Sequence, residues 1–292
     1  MTRLLISFLA VCLLTFAAGP RRILLIAGPP SHGPLAHEQN AAALLFQKWL
    51  AQVPGIQTKV QLSGWPDNNA AIAESDAIFV FCDGAERHLI FADPARTEAM
   101  RKAAARGAGM MFYHYGVEPP KEKGHQEFLD WIGGYFELNY SVNPIWEADI
   151  QALPKHPITR GVKPFKVRDE WYFNMRFPEG AGMRAVRPIL AAIPPPETMN
   201  RPDGIRSGNP DVRSKMGQRQ TLMWAIERAD GGRGVGFTGG HFHLNLGDEN
   251  FRKVVLNALV WTAKGKVPEG GVTVNVTPAE LHENLDPKPG KK

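Results

Sequence analysis

The sequence predicts an α/β fold of three layers: a doubly wound, mostly parallel sheet between helices, interrupted by one irregular Pro/Gly-rich insertion. Three observations carry this. Short apolar runs recur along the 292 residues and stop at Gly or Pro, as strands buried on both faces do. Stretches with apolar residues at helical spacing alternate with them, which is the pattern of βαβ units. A chain of this length that is 43% hydrophobic can also bury a large core without staples.

The elements follow in order. Arg22–Gly28 is a continuous apolar run closed by Gly-Pro-Pro, hence a first buried strand. A loop containing Ser31, His32, His37 and Glu38 leads into a helix with Ala41, Leu44, Leu45 and Trp49 on one side. A short second strand lies near Thr58–Leu62, and a third, AIFVFC, covers Ala77–Cys82. Pro94–Arg106 reads as a helix, with Pro at its start and Gly107 just after it. A fourth strand, Gly109–His114, follows, and the next helix begins near Gly124. From Asn143 to Gly217 the pattern loosens into short strands and Pro-rich loops. Strands return at Leu222–Ile226 and Val235–Thr238, and Asp248 caps a final helix carrying Phe251, Val254, Val255, Ala258 and Leu259.

Residues 1–19 combine Arg3, an apolar stretch and Ala17-Ala18-Gly19, the plan of a cleaved signal peptide, so an exported protein without stable membrane insertion is expected. Residues 20–266 form the domain, and the tail 267–292 is expected to lie extended on the surface or partly disordered. Cleavage would remove Cys12 and leave Cys82 alone, which excludes an internal disulfide. Lys and Arg number 34 against 29 acids, without a basic block, so nucleic acid is not an expected partner.

Nine His are the unusual count. In a parallel sheet, ligands gather beyond the carboxyl ends of the strands. His32, His37, His88, His114, His241 and His243 all fall in loops at that end, whereas His125, His156 and His282 read as structural or exposed. His88 reads as a solvated loop residue. His241 and His243 alternate about Phe242, which in an extended segment puts both rings on one side, an arrangement suited to metal binding. With His32 they are the candidate ligands of a divalent metal ion; no nucleotide cofactor is expected.

His114 occupies a sharp strand-to-helix turn of the kind that presents Ser or Cys in hydrolases. A Ser or Cys acyl-enzyme mechanism therefore loses its central residue, and Cys82, closing an apolar strand, reads as buried and inert. His114 becomes a candidate acid, base or ligand. Asp169 and Glu170 are adjacent, so on an extended segment at most one faces the cleft as a base. Glu38 is a further catalytic candidate, and His37, Tyr115, Trp171 and Tyr172 are candidates for holding substrate.

With these residues the chain resembles the ThuA-like (trehalose utilisation) family. The matching motifs are Ser31-His32-Gly33 with His37-Glu38, His114, Asp169-Glu170-Trp171-Tyr172, Gly234 to His241, and the helix ending Asn257-Ala-Leu-Val-Trp261. The resemblance spans about residues 22–266. It implies a class I glutamine amidotransferase-like, flavodoxin-like fold, but not glutamine hydrolysis, because the amidotransferase Cys is absent. It also implies carbohydrate catabolism, with a sugar or glycoside as substrate and a partner dehydrogenase that supplies a 3-keto sugar. A 3-keto group acidifies the C2 proton, so a base and a Lewis acid could cleave the glycosidic bond by elimination or net hydrolysis. The alternative is a carbohydrate-binding or scaffolding protein that kept the fold without the chemistry.

Overall fold

The computed structural model describes residues 19–288, and among these described residues there are nine strands and seven α-helices. In chain order these are β1 (Arg21–Ala27), α1 (Gln39–Leu50), β2 (Ile56–Gln61), α2 (Ala70–Glu74), β3 (Ala77–Phe81), α3 (Pro94–Ala105), β4 (Gly109–Tyr113) and α4 (His125–Ile132). The insertion then supplies β5 (Ile145–Ile150), β6 (Phe165–Glu170), β7 (Arg187–Ala192), α5 (Pro196–Met199) and α6 (Pro210–Ser214). β8 (Gln220–Glu227), β9 (Arg233–Phe237) and α7 (Glu249–Thr262) complete the domain. The signal sequence expected over residues 1–19 lies, up to residue 18, outside the described residues.

The main sheet has seven strands in the order β2-β1-β3-β4-β9-β8-β7. The first five are parallel and follow the flavodoxin-like order; β8 runs antiparallel to β9, and β7 antiparallel to β8. The mostly parallel α/β sheet predicted from the apolar runs is therefore the observed one. The pleat sorts each strand between two cores. Ile23, Leu25, Phe79, Phe81, Met111, Tyr113 and Phe237 face α1 and α7. Leu24, Ile26, Ile78, Val80, Met110 and Phe112 face α3 and α4. Asp248 caps α7 through the amides of Asn250 and Phe251, and Asp93 caps α3 through that of Ala95.

Two features of this frame position the site. The order reverses between β1 and β3, and a crevice opens beyond their carboxyl ends at such a switch point. The insertion contributes a separate ribbon, β5 paired antiparallel with β6, whose last residues, Asp169 and Glu170, are brought over that crevice.

The tail departs from its expected surface placement. Val267, Val272, Val274 and Leu281 are buried in the α1–α7 core, and the Val272 backbone amide donates to Asn257 Oδ1 on α7. Apolar residues spaced through a Pro- and Gly-rich segment are hard to read, because no helical or alternating period marks them.

His88 departs as well. It is fully buried, its Nε2 donates to the Gly116 carbonyl, and its Nδ1 accepts from the Ile90 amide, so it organises a turn packed on Phe91, Phe112 and Phe128. Burial pushes its imidazole down to about 4. The unfolded chain takes up that proton near pH 6.5, so the stability this group provides is complete above pH 6.5 and is lost as pH falls towards 4, by roughly 3 kcal/mol. Urea unfolding at pH 7 and pH 4.5 should therefore show a smaller acid loss for His88→Gln than for the wild type.

Candidate functional site

Four loops converge on the crevice. Ser31, His32 and His37 follow β1, Asp83 follows β3, His114 follows β4, and His241 follows β9. The backbone is unusual where the rings are held: His32, His37 and His114 have φ of 61°, 49° and 51°. Left-handed conformations in non-glycine residues cost free energy and persist only where surroundings impose them, commonly at functional sites. The loop before His241 needs Gly239 and Gly240. A Cβ on Gly240 (φ 108°) would lie 2.1 Å from the Tyr113 ring, and one on Gly239 would lie 2.4 Å from the Trp171 ring.

Three imidazole nitrogens and one carboxylate oxygen meet there. His37 Nε2 is 3.1 Å from His114 Nε2 and 3.1 Å from His241 Nδ1. Glu170 Oε2 lies 3.4 Å from His114 Nε2 and 3.3 Å from His241 Nδ1. All four atoms lie within 4.8 Å of one another. His114 Nδ1 faces the Thr238 carbonyl at 2.9 Å and must donate to it, which leaves its Nε2 bare. His37 Nδ1 lies 3.6 Å from Asp83 Oδ1, beyond hydrogen-bond reach, but the carboxylate's field favours the Nδ1–H form and again leaves Nε2 bare. With those tautomers the two nitrogens, 3.1 Å apart, turn lone pairs towards each other, which a shared proton or a bound cation would satisfy. Ligands about 2.0–2.2 Å from a tetrahedral zinc-like ion sit roughly 3.2–3.6 Å apart, close to the spacings here. The donor set fits a divalent transition metal.

The surrounding groups hold these four in place. Asp83 also accepts from Ser31 Oγ at 2.7 Å and from Gln39, and pairs with Arg87 at 3.1 Å. Burial alone would raise its carboxyl, but His37, Ser31 and Arg87 outweigh that and bring it down to about 2. Burial likewise opposes ionisation of Glu170, yet the adjacent His114 and His241 hold it well below the usual carboxylate range. Burial lowers His37 strongly and His32 to a lesser degree, so both imidazoles are neutral at pH 7.

The sequence-derived candidates divide accordingly. His114, Glu170 and His241 are at the centre, and His37, expected only to hold substrate, is the ring that touches both other imidazoles. His32 does not join that set. It stacks on His37 with centroids 3.5 Å apart, and its Nδ1 meets Ser31 Oγ at 2.9 Å. Tyr172 is buried beneath the site, its hydroxyl 3.2 Å from His114 Nε2. Tyr115, half-buried, forms a wall beside His32 and His37 and holds Arg206 through its hydroxyl.

Besides His32, expected as a metal ligand, four candidates are corrected. His243 lies outside the set, because the chain ceases to be extended at Phe242 and turns into a 3-10 segment, His243–Gly247, that buries the ring. Asp169 is the buried member of the carboxylate pair and accepts from the amides of Glu170, Gly240 and Phe242, so it shapes the loop and offers no base. Glu38 is buried at the start of α1 and accepts from the amides of Leu35 and Asp286. Trp171 belongs to the core, packed on Phe237 and Phe251 with its indole donating to the Val167 carbonyl. Asp83 is the site residue that the sequence candidates lack, and an acid directly after a buried parallel strand is the signal that marks it. Cys82 is inert as expected: it is fully buried, and burial pushes its thiol up to about 12.

Residues 25–262 match the family model described as ThuA, trehalose utilisation. The chain belongs to the ThuA family. Among solved structures, a ThuA-like protein of Bacteroides uniformis ATCC 8492 is similar at 17% identity and a TM-score of 0.58, with 86% of this chain and 95% of that one covered. One from Parabacteroides merdae ATCC 43184 is similar at 15% identity and a TM-score of 0.57, with 89% and 94% covered. At these identities the likeness concerns the fold. No curated protein matches the chain. Membership of the ThuA family ties the chain to carbohydrate utilisation, and in this member the strand ends of the fold carry the histidine cluster.

Proposed function

We propose that this ThuA-family protein is an exported enzyme of carbohydrate catabolism that uses a divalent metal to cleave a glycoside or its 3-keto derivative, by elimination or net hydrolysis. The observation that carries the reading is the convergence of His37, His114, His241 and Glu170 at the switch-point crevice. These four residues would hold the metal, which would supply Lewis-acid polarisation of a sugar oxygen.

His32 supplies the base. Ser31 donates its hydroxyl proton to Asp83 and accepts from His32 Nδ1–H, so the neutral ring keeps Nε2 free and remains partly open to the cleft. It takes the proton on the carbon beside the substrate carbonyl, the C1–C2 double bond forms, and the glycosidic C–O bond breaks. The departing oxygen takes up a proton, and water adding back to C1 completes net hydrolysis. A cavity of about 570 Å³ opens beside Glu170, where Asn143, Glu197, Thr198 and Arg201 offer polar groups to sugar hydroxyls. A dehydrogenase producing 3-keto sugars is the matching partner.

Elemental analysis and a 3-keto-glycoside assay test the reading together. The expected result is about one metal per chain, and a His32→Ala variant that keeps its metal but turns over about 10²–10⁴-fold more slowly. Absence of both metal and turnover after reconstitution would overturn it. Sugar binding without turnover that survives His114→Ala and His241→Ala would identify a binding protein instead.

A further inference from the structure

We propose that the segment Lys266–Lys288, beyond the ThuA-matched residues, is a strap that sets the metal loop, with Lys288 and Asp286 as positioning residues; this rests on reading the histidine cluster as a cation site. The family match ends at residue 262, yet the chain continues across the α1–α7 core and returns to the site. Its contacts there are specific. The Lys288 ammonium donates to the carbonyls of Ala36 at 2.8 Å, Ser31 at 3.2 Å and His37 at 3.4 Å, and pairs with the buried Glu38 carboxylate at 3.1 Å. One cation thus gathers carbonyls from both ends of the loop that carries His32 and His37.

Asp286 acts from the other side. Its Oδ2 accepts from the Gln39 amide at 2.8 Å and the Asn40 amide at 3.4 Å, while its own amide donates to Glu38 Oε2 at 2.6 Å. α1 offers no capping side chain of its own: Glu38, at its N-cap, spends both oxygens elsewhere. The cap is supplied 247 residues away in sequence, two positions after His37. Lys48 and Trp49 on α1 hold the same segment upstream through Glu280. His37 is kept at φ 49°, a conformation that needs external restraint, and these contacts provide it.

The test uses the full mature chain and Co(II) as the probe. Lys288→Met keeps the apolar stem and removes the charge. It is expected to weaken Co(II) binding about 10–100-fold, the usual loss when a group supporting a ligand is removed. In the metal-free protein, amide exchange at residues 36–40 is expected to speed up at least tenfold, and the melting temperature to move little. Lys288→Arg should restore most of the affinity, and Asp286→Asn should reproduce the loss if Lys288→Met does not fold. Met100→Ala, which destabilises the core on the α3 side and leaves the segment untouched, separates positioning from general destabilisation. Unchanged Co(II) affinity and unchanged exchange in Lys288→Met would overturn the strap, as would an equal Co(II) loss in Met100→Ala. If the wild type takes up no Co(II), the cation reading fails, and the exchange measurement alone decides the strap.

Discussion

His114→Ala is expected to empty the site of metal and lower turnover by about a thousandfold or more, while the domain remains folded. The ring is oriented from behind by the Thr238 carbonyl and from below by Tyr172, so its Nε2 reaches the centre without any freedom to be lost there. Removing it takes one of three imidazoles from the set and leaves His37 and His241 to meet alone. The structural cost is one buried carbonyl without its donor, about 1–3 kcal/mol. The sheet and both cores do not depend on it. His114→Gly makes the sharper comparison. It relieves the left-handed backbone at φ 51°, so it should be more stable than the Ala variant by roughly 1 kcal/mol and equally inactive. Metal analysis, turnover and urea unfolding on the two variants check this directly. Retained metal with lost turnover would instead make His114 an acid or base.

Asp169→Asn is expected to damage both stability and the site, although Asp169 touches no reacting group. Its Oδ2 accepts from Gly240 at 2.6 Å, and its Oδ1 from Glu170 at 2.8 Å and Phe242 at 3.2 Å. An amide has one oxygen. Its NH₂ must then face an N–H, leaving buried donors opposed, at a cost of about 2–4 kcal/mol. The Gly240–Phe242 loop relaxes, and His241 leaves its place beside Glu170. Denaturation should show the loss of stability, and metal titration a fall in affinity of about 10–100-fold. If turnover disappears with stability and metal affinity intact, Asp169 takes part in the chemistry itself.

Much of the frame is written locally. Strands such as Ala77–Phe81 are uninterrupted apolar runs, and their burial on two faces is stated by composition alone. The site was legible to the extent that it follows from strand ends: His37, His114 and His241 lie where a parallel sheet gathers its ligands. The same rule separates Asp169 from Glu170, because adjacent residues of an extended strand face opposite ways. Which of them turns inward depends on amides about 70 residues later, which no local pattern contains. His243 escapes the alternation of an extended segment because a tight turn begins directly after Phe242. His88 follows polar Glu86 and Arg87, and its burial comes largely from Phe112 and Phe128 on other elements. The tail's docking rests on isolated Val and Leu residues in a segment with no period, so tertiary packing alone reveals it.

The cluster also bears on how the molecule comes together. Its donors are supplied from positions 37, 114, 170 and 241, with support from 83 and 238, so every part of the α/β domain contributes. The centre is complete only once segments 204 residues apart have met and the β5–β6 ribbon has docked, so it requires the assembled fold. An ion seated there would bind the folded chain and not its precursors. It would therefore raise resistance to unfolding by mass action, by about 2.7 kcal/mol at a hundredfold excess over Kd. Metal occupancy would then count the fully assembled molecules in a preparation, where helix content would count partly assembled ones too.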